Sequence, residues 1–182
     1  MSATDDPPAD PGTNERATDA TQSHGSFPEA PELVTSQWFN TDADISLRSL
    51  RGSVVVIEAF QMLCPGCVSH GLPLAKRVHA AFAHDVTVLG LHTVFEHHEA
   101  MTPVSLEAFL AEYAITFPVG VDTAGTGTPL PETMQRYGLS GTPSMLVIDR
   151  AGRLRANAFG QLEDLRLGAL LARLIDEPAA PH

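Results

Sequence analysis

From Leu33 onward the chain is a succession of short apolar runs set between turn-forming stretches. Leu33 to Phe39 and Ile45 to Leu50, separated by Asn40-Thr41-Asp42-Ala43-Asp44, predict a short strand pair ending at Arg51-Gly52. Val54 to Phe60 is the most strand-like run, and its near-continuous hydrophobicity predicts burial on both faces at the centre of a sheet. A helix follows to about His84, kinked at Pro73. Val86 to His92 predicts a second central strand. Thr102-Pro103 then supplies a cap and a first-turn proline to a helix with Leu106, Phe109, Leu110 and Tyr113 at helical spacing. Phe117 to Val121 reads as a short strand and Glu132 to Tyr137 as a short helix. Met145 to Ile148 and Leu154 to Phe159 read as a hairpin about Asp149-Arg150-Ala151-Gly152. The last helix carries Leu162, Leu165, Leu170, Leu171 and Leu174 on an apolar stripe. Such alternation implies one α/β domain with helices on both faces of its sheet.

Composition separates residues 1–32 from this pattern. They hold seven acids, one base (Arg16) and five prolines, with only Met1 and Phe27 as large apolar groups. Such a segment buries too little surface to offset its ordering entropy, so 1–32 is expected to be a disordered tail, 33–177 the domain and 178–182 a disordered end. The net charge of −11 divides into −6 for that segment and −5 for the rest. Neither part offers nucleic acid a basic footprint, and an anionic membrane surface would repel both. No apolar run approaches the roughly 20 residues that span a bilayer. The acidic, proline-rich beginning is unlike a signal peptide, and the expectation is a cytoplasmic monomer.

The chemistry points to Cys64-Pro65-Gly66-Cys67, which holds the only two cysteines of the sequence and stands where the Val54–Phe60 strand hands over to a helix. A Cys-x-x-Cys in that context reads as a redox dithiol. The alternatives are two buried apolar thiols, or a zinc knuckle that lacks a second cysteine pair. Cys64 at the helix N-terminus would be favoured as a thiolate, with Pro65 suited to a position that needs no N–H. Cys67, one turn later, is the thiol placed to resolve a mixed disulfide on Cys64.

These motifs together resemble the thioredoxin superfamily, and within it the TlpA-like thiol–disulfide oxidoreductases and redoxins, over about Leu33 to Ile175. The resemblance rests on Trp38-Phe39-Asn40, Leu50-Arg51-Gly52, the strand into the two cysteines, and Gly141-Thr142-Pro143-Ser144 leading to Asp149-Arg150-Ala151-Gly152. It implies a thioredoxin fold, a central mixed β-sheet flanked by helices, here with an N-terminal β-hairpin extension and a βαβ insertion. It further implies that Pro143 is cis and packs on the dithiol, and that the backbone of Thr142 pairs with an extended substrate. The implied partners are a protein disulfide substrate and an upstream thiol reductant, with no cofactor. The family's tryptophan before the first cysteine is Leu63 here, with Gln61 and Met62 ahead of it, which is expected to alter the surface that greets a partner; Leu63 and Pro65 are the side chains expected to meet that partner. The helix proline comes nine residues after Cys64 where the family has eight, which predicts a π-bulge in the first helix.

Glu58 is the one charged residue within its strand, and a carboxyl among apolar neighbours should have a raised pKa. The resemblance implies a buried acid here that serves the resolving cysteine through water; the alternative is a strand-end acid facing solvent. His92, at the end of the second central strand, is a candidate to tune the thiolate or to meet a substrate. Trp38 and Tyr137 read as core packing. Two other functions compete with the oxidoreductase. A peroxiredoxin-like peroxidase would need a Thr and an Arg beside its thiolate, yet Pro-x-x-x-Thr/Ser-x-x-Cys is absent before Cys64. A copper or zinc carrier would add a histidine from among His70, His79, His92, His97 and His98 to the two cysteines; no resident metal is expected.

Overall fold

The structure is a computed structural model that describes residues 27–178, so the expectations for 1–26 and 179–182 lie outside the described residues. Its elements are β1 (Thr35–Phe39), β2 (Val54–Phe60), a π-helical turn (Cys67–Gly71), α1 (Leu72–Ala81), β3 (Val86–His92), α2 (Pro103–Glu112), β4 (Val119–Asp122), α3 (Glu132–Tyr137), β5 (Ser144–Ile148), β6 (Leu154–Phe159) and α4 (Asp164–Asp176). The strands form one mixed sheet in the order β1-β4-β3-β2-β5-β6. β2, β3 and β4 run parallel, joined through helical crossovers, while β1, β5 and β6 pair antiparallel to their neighbours. The β3–α2–β4 unit is the expected insertion.

Every residue of β2 is buried, as its sequence predicts. Val54, Val56 and Phe60 face a layer built from α1, α2 and α4, through Leu72, Ala75, Leu106, Leu110, Leu167 and Leu171. Val55, Ile57 and Ala59 face α3 through Met134 and Tyr137. Each fully buried Leu or Ile contributes about 1.5–3 kcal/mol, so the two layers pin β2 from both sides. Among the described residues no helix is long and apolar enough to cross a membrane.

Four local readings differ from the structure. Ile45–Leu50 forms turns, not the second strand of a hairpin, and β1 pairs instead with β4. The Glu32 carboxylate accepts the amides of Leu47 at 2.7 Å and Arg48 at 2.8 Å, and three-residue turn bonds follow through Arg51, which occupies the donors a ladder would need. Phe27–Glu32 is docked on the domain: Ala30 N donates to Gly152 O and Leu154 N to Pro28 O, both at 2.9 Å, and Tyr137 Oη donates to Pro31 O at 2.6 Å. The segment makes these contacts through its own main chain, which a composition argument does not see. The first helix ends at Ala81, before His84, because Phe82 leaves the helical conformation. In α4 the buried stripe is Leu167, Leu171 and Leu174, while Leu165 is 88% exposed.

The helix after Cys64 does carry the wide turn that its extra residue predicts, at Cys67–Gly71. Pro73 has no N–H to give to the carbonyl four residues back, at Ser69, and a π-turn just ahead of it takes up the surplus residue without breaking the helix. Thr102 caps α2, its Oγ1 accepting from Ser105 N at 3.3 Å.

Candidate active site

The site lies at the C-terminal end of β2, where the chain turns into the π-turn. Cys64 is half-buried and Cys67 fully buried, and both are free thiols. Cys67 N–H donates to Cys64 Sγ at 3.3 Å, and Val68 N–H to Cys64 O at 3.2 Å, so the first helical turn closes around the leading sulfur. Across from it the Thr142–Pro143 peptide is cis, and Thr142 O accepts from Cys64 Sγ at 3.4 Å. A Cβ at position 66 would lie 3.2 Å from Pro143 Cδ, so glycine between the cysteines is what lets the proline ring approach them. Leu63 and Pro65 flank the sulfur at the surface, with Leu63 57% exposed.

Burial, then the hydrogen bond with Cys64, push the Cys67 thiol up to about 12. Glu58 points from β2 into the α1 side of the sheet, where Val56 and Phe60 also face. Burial, with a smaller contribution from the charge of Cys64, holds its pKa well above the usual carboxylate range. Among the described residues its Oε1 has no hydrogen-bond partner, and it packs where a side chain at Gly71 would otherwise sit, against Pro143. The acid does not face solvent.

His92 is not at the surface. It pairs with Phe60 across the β2–β3 ladder, packs against the Phe60 ring in a tilted arrangement at 5.3 Å between centroids, and is 1% exposed, so it cannot meet a substrate. The strand-end position suggested exposure, but the side chain is buried against Phe60. Burial lowers its pKa to about 4. The third ligand of the metal-carrier reading is not assembled: among the described residues no three His, Cys, Asp or Glu side chains converge. His97 and His98 lie exposed in their loop, and His79 packs edge-on to Phe117.

Met62, expected with Gln61 to shape the partner-facing surface ahead of Leu63, is buried, and so is Gln61, whose bonding the sequence did not announce. Gln61 is 1% exposed, its Nε2 donates to Thr142 Oγ1 at 3.5 Å, its Oε1 accepts from Phe95 N at 3.4 Å, and its carbonyl accepts from Cys64 N at 3.2 Å. One residue, through its side-chain amide and its main-chain carbonyl, thereby ties the cysteine turn, the cis-proline loop and the segment after β3 together. A polar residue directly after a strand that is apolar but for Glu58 was the available signal. Trp38 lies over Gly120 and Tyr137 is buried; both are packing residues.

A crystal structure of a thioredoxin-like superfamily protein is 61% identical, with a TM-score of 0.82, covering 85% of this chain and 100% of that one. A thiol-disulfide isomerase from Corynebacterium glutamicum is 49% identical at a TM-score of 0.78, over 82% of this chain and 98% of its own. Among curated proteins, Protein DipZ of Mycobacterium bovis is 28% identical over 156 residues, 84% of this chain but 21% of DipZ. The chain thus spans about a fifth of the length of that relative. The AhpC/TSA family model matches residues 28–157, beginning within the docked segment ahead of Leu33 and running into β6. On that match the chain belongs to the AhpC/TSA family, and it carries the thioredoxin fold.

Proposed function

We propose that the protein is a thiol–disulfide oxidoreductase that reduces disulfides in a protein partner. The observation that carries this reading is the asymmetry of the pair: Cys64 reaches the surface with an amide N–H on its sulfur, and Cys67 is sealed behind it with its thiol held protonated. In the reaction the Cys64 thiolate attacks one sulfur of the substrate disulfide, forming a Cys64–substrate bond and releasing the other sulfur as a thiolate. Cys67 gives up its proton, attacks Cys64 and expels the second substrate thiolate. The dithiol loses two electrons and the substrate gains them. An upstream thiol reductant then restores the dithiol. Thr142 offers its backbone to an extended substrate segment, with Leu63 and Pro65 beside the reacting sulfur, and Glu58 takes the Cys67 proton.

Insulin reduction by the reduced protein tests the proposal. Cys64→Ser should abolish it, and Cys67→Ser should accumulate a mixed disulfide between Cys64 and the partner. A Cys64→Ser variant that still reduces insulin would overturn it. Hydrogen peroxide consumption, measured alongside, separates a peroxidase from a disulfide reductase.

A further inference from the structure

Behind the dithiol a cavity of about 60 Å³ is lined by Glu58, Gly71, Leu74 and Met145 on its inner side and by Ser69, His70, Arg77, Gln161 and Asp164 on its outer side. The inner residues are buried and the outer ones exposed, so the cavity leads from the carboxyl to the surface between the π-turn and the start of α4. A water needs about 10–15 Å³ of such space together with polar partners, and the unpartnered Glu58 Oε1 is one such partner. Gly71 matters here, because any side chain at that position would collide with the Glu58 carboxyl. None of Leu63, Pro65, Thr142 or the exposed Phe159 lines the cavity.

At its rim Ser69 Oγ donates to Pro65 O at 2.7 Å and therefore accepts from His70 Nδ1–H at 2.6 Å. This leaves His70 Nε2 as a proton acceptor. The other charged groups around the cavity are Arg77 and Asp164, which neutralise one another in a 2.9 Å ion pair, and Cys64, whose charge acts on Glu58.

We propose that Glu58 exchanges its proton with solvent through this cavity, and that His70 at the rim relays it. The proposal rests on the dithiol reading and deepens it. When a substrate is joined to Cys64, its body covers the face formed by Leu63, Pro65 and Thr142, yet Cys67 still has to lose a proton. That proton passes to the Glu58 carboxylate, then through water to His70 Nε2, and the imidazolium releases it to bulk. The Cys67 thiolate then forms its bond to Cys64 as the Cys64–substrate bond breaks. His70 acts through Glu58 and touches no reacting sulfur.

The test uses the full chain and the aromatic disulfide dithionitrobenzoate, which releases one coloured thiolate on joining Cys64 and a second when Cys67 resolves the adduct. In weakly buffered solution, His70→Ala should slow the second release about tenfold relative to the first, with added imidazole restoring it. His70→Phe should be slowed equally and not restored, because its ring fills the rim. A second release that is unchanged in His70→Ala, or slowed but unresponsive to imidazole, overturns the relay while leaving the dithiol reading intact. A wild-type protein that gives only one release overturns both.

Discussion

Cys67 should be inert toward small electrophiles in the folded protein, although it lies one turn from a reactive thiol. Its pKa rises from 9.0 to about 12, and each unit is a factor of ten in thiolate population, so the thiolate is roughly a thousandfold scarcer than for an ordinary cysteine, about 4 kcal/mol. Burial is the largest cause, and it also excludes the reagent. At about pH 8, limiting iodoacetamide should therefore modify Cys64 and leave fewer than about one in a hundred Cys67 thiols labelled, read by peptide mass mapping. In urea both should label. Because burial leads the shift, Cys64→Ser should leave Cys67 nearly as unreactive as before. Comparable labelling of the two cysteines while the protein remains folded would refute the reasoning, and with it the assignment of Cys64 as nucleophile and Cys67 as resolver.

Three further outcomes follow from buried groups. The pKa of His92 falls from 6.5 to about 4, so between those values the unfolded chain binds the proton and the folded one does not. Stability is lost as pH falls through that window, by about 3 kcal/mol, and His92→Leu should remove that share of the acid sensitivity in urea unfolding; parallel pH curves for the two proteins would contradict it. Glu58 has the opposite sign: its raised folded pKa gives full stability below 4.5 and a decline as pH rises above it. Glu58→Gln should thus gain on the wild type as pH increases, by about 1.4 kcal/mol for each unit of the shift, while resolving mixed disulfides about 10²-fold more slowly. Asp122 accepts Thr133 N at 2.8 Å, Met134 N at 3.0 Å and Thr93 Oγ1 at 2.9 Å in a buried setting. Asp122→Ala should cost about 2–4 kcal/mol in thermal or urea unfolding, and a loss below the error of measurement would mean that α3 holds its place without this cap.

The reading of Val54–Phe60 as a central strand succeeded because burial on both faces leaves Glu58 as its single polar position, a pattern that few other structures require. The π-turn at Cys67–Gly71 was legible for a different reason: a proline displaced by one residue has to be accommodated within one helix. Failures came where long-range partners decide. Ile45–Leu50 has strand-like apolar content, yet the Glu32 carboxylate, 15 residues upstream of Leu47, captures its amides. His92 looked accessible because nothing local reveals that it is buried against Phe60 of the neighbouring strand. Gln61 was expected at the partner-facing surface and is instead buried, because it joins three segments that are distant in sequence. Leu165 shows a smaller error of the same kind: apolar spacing alone does not say which of two adjacent helical stripes faces the sheet.

The segment Phe27–Glu32 carries a consequence for how this chain can be shortened. β6 is the outermost strand on its side of the sheet, and its free main-chain groups are a template on which another chain can pair. Pro28 and Ala30 occupy the beginning of that edge through Leu154 N and Gly152 O, and Arg51 fastens Glu29 at 2.6 Å. A chain begun at Leu33, where the composition changes, would keep the dithiol and its core but strip this guard from the edge. Aggregation of that truncated chain, set against good behaviour of one begun ahead of Phe27, is the expected sign that these six residues serve as a protective border.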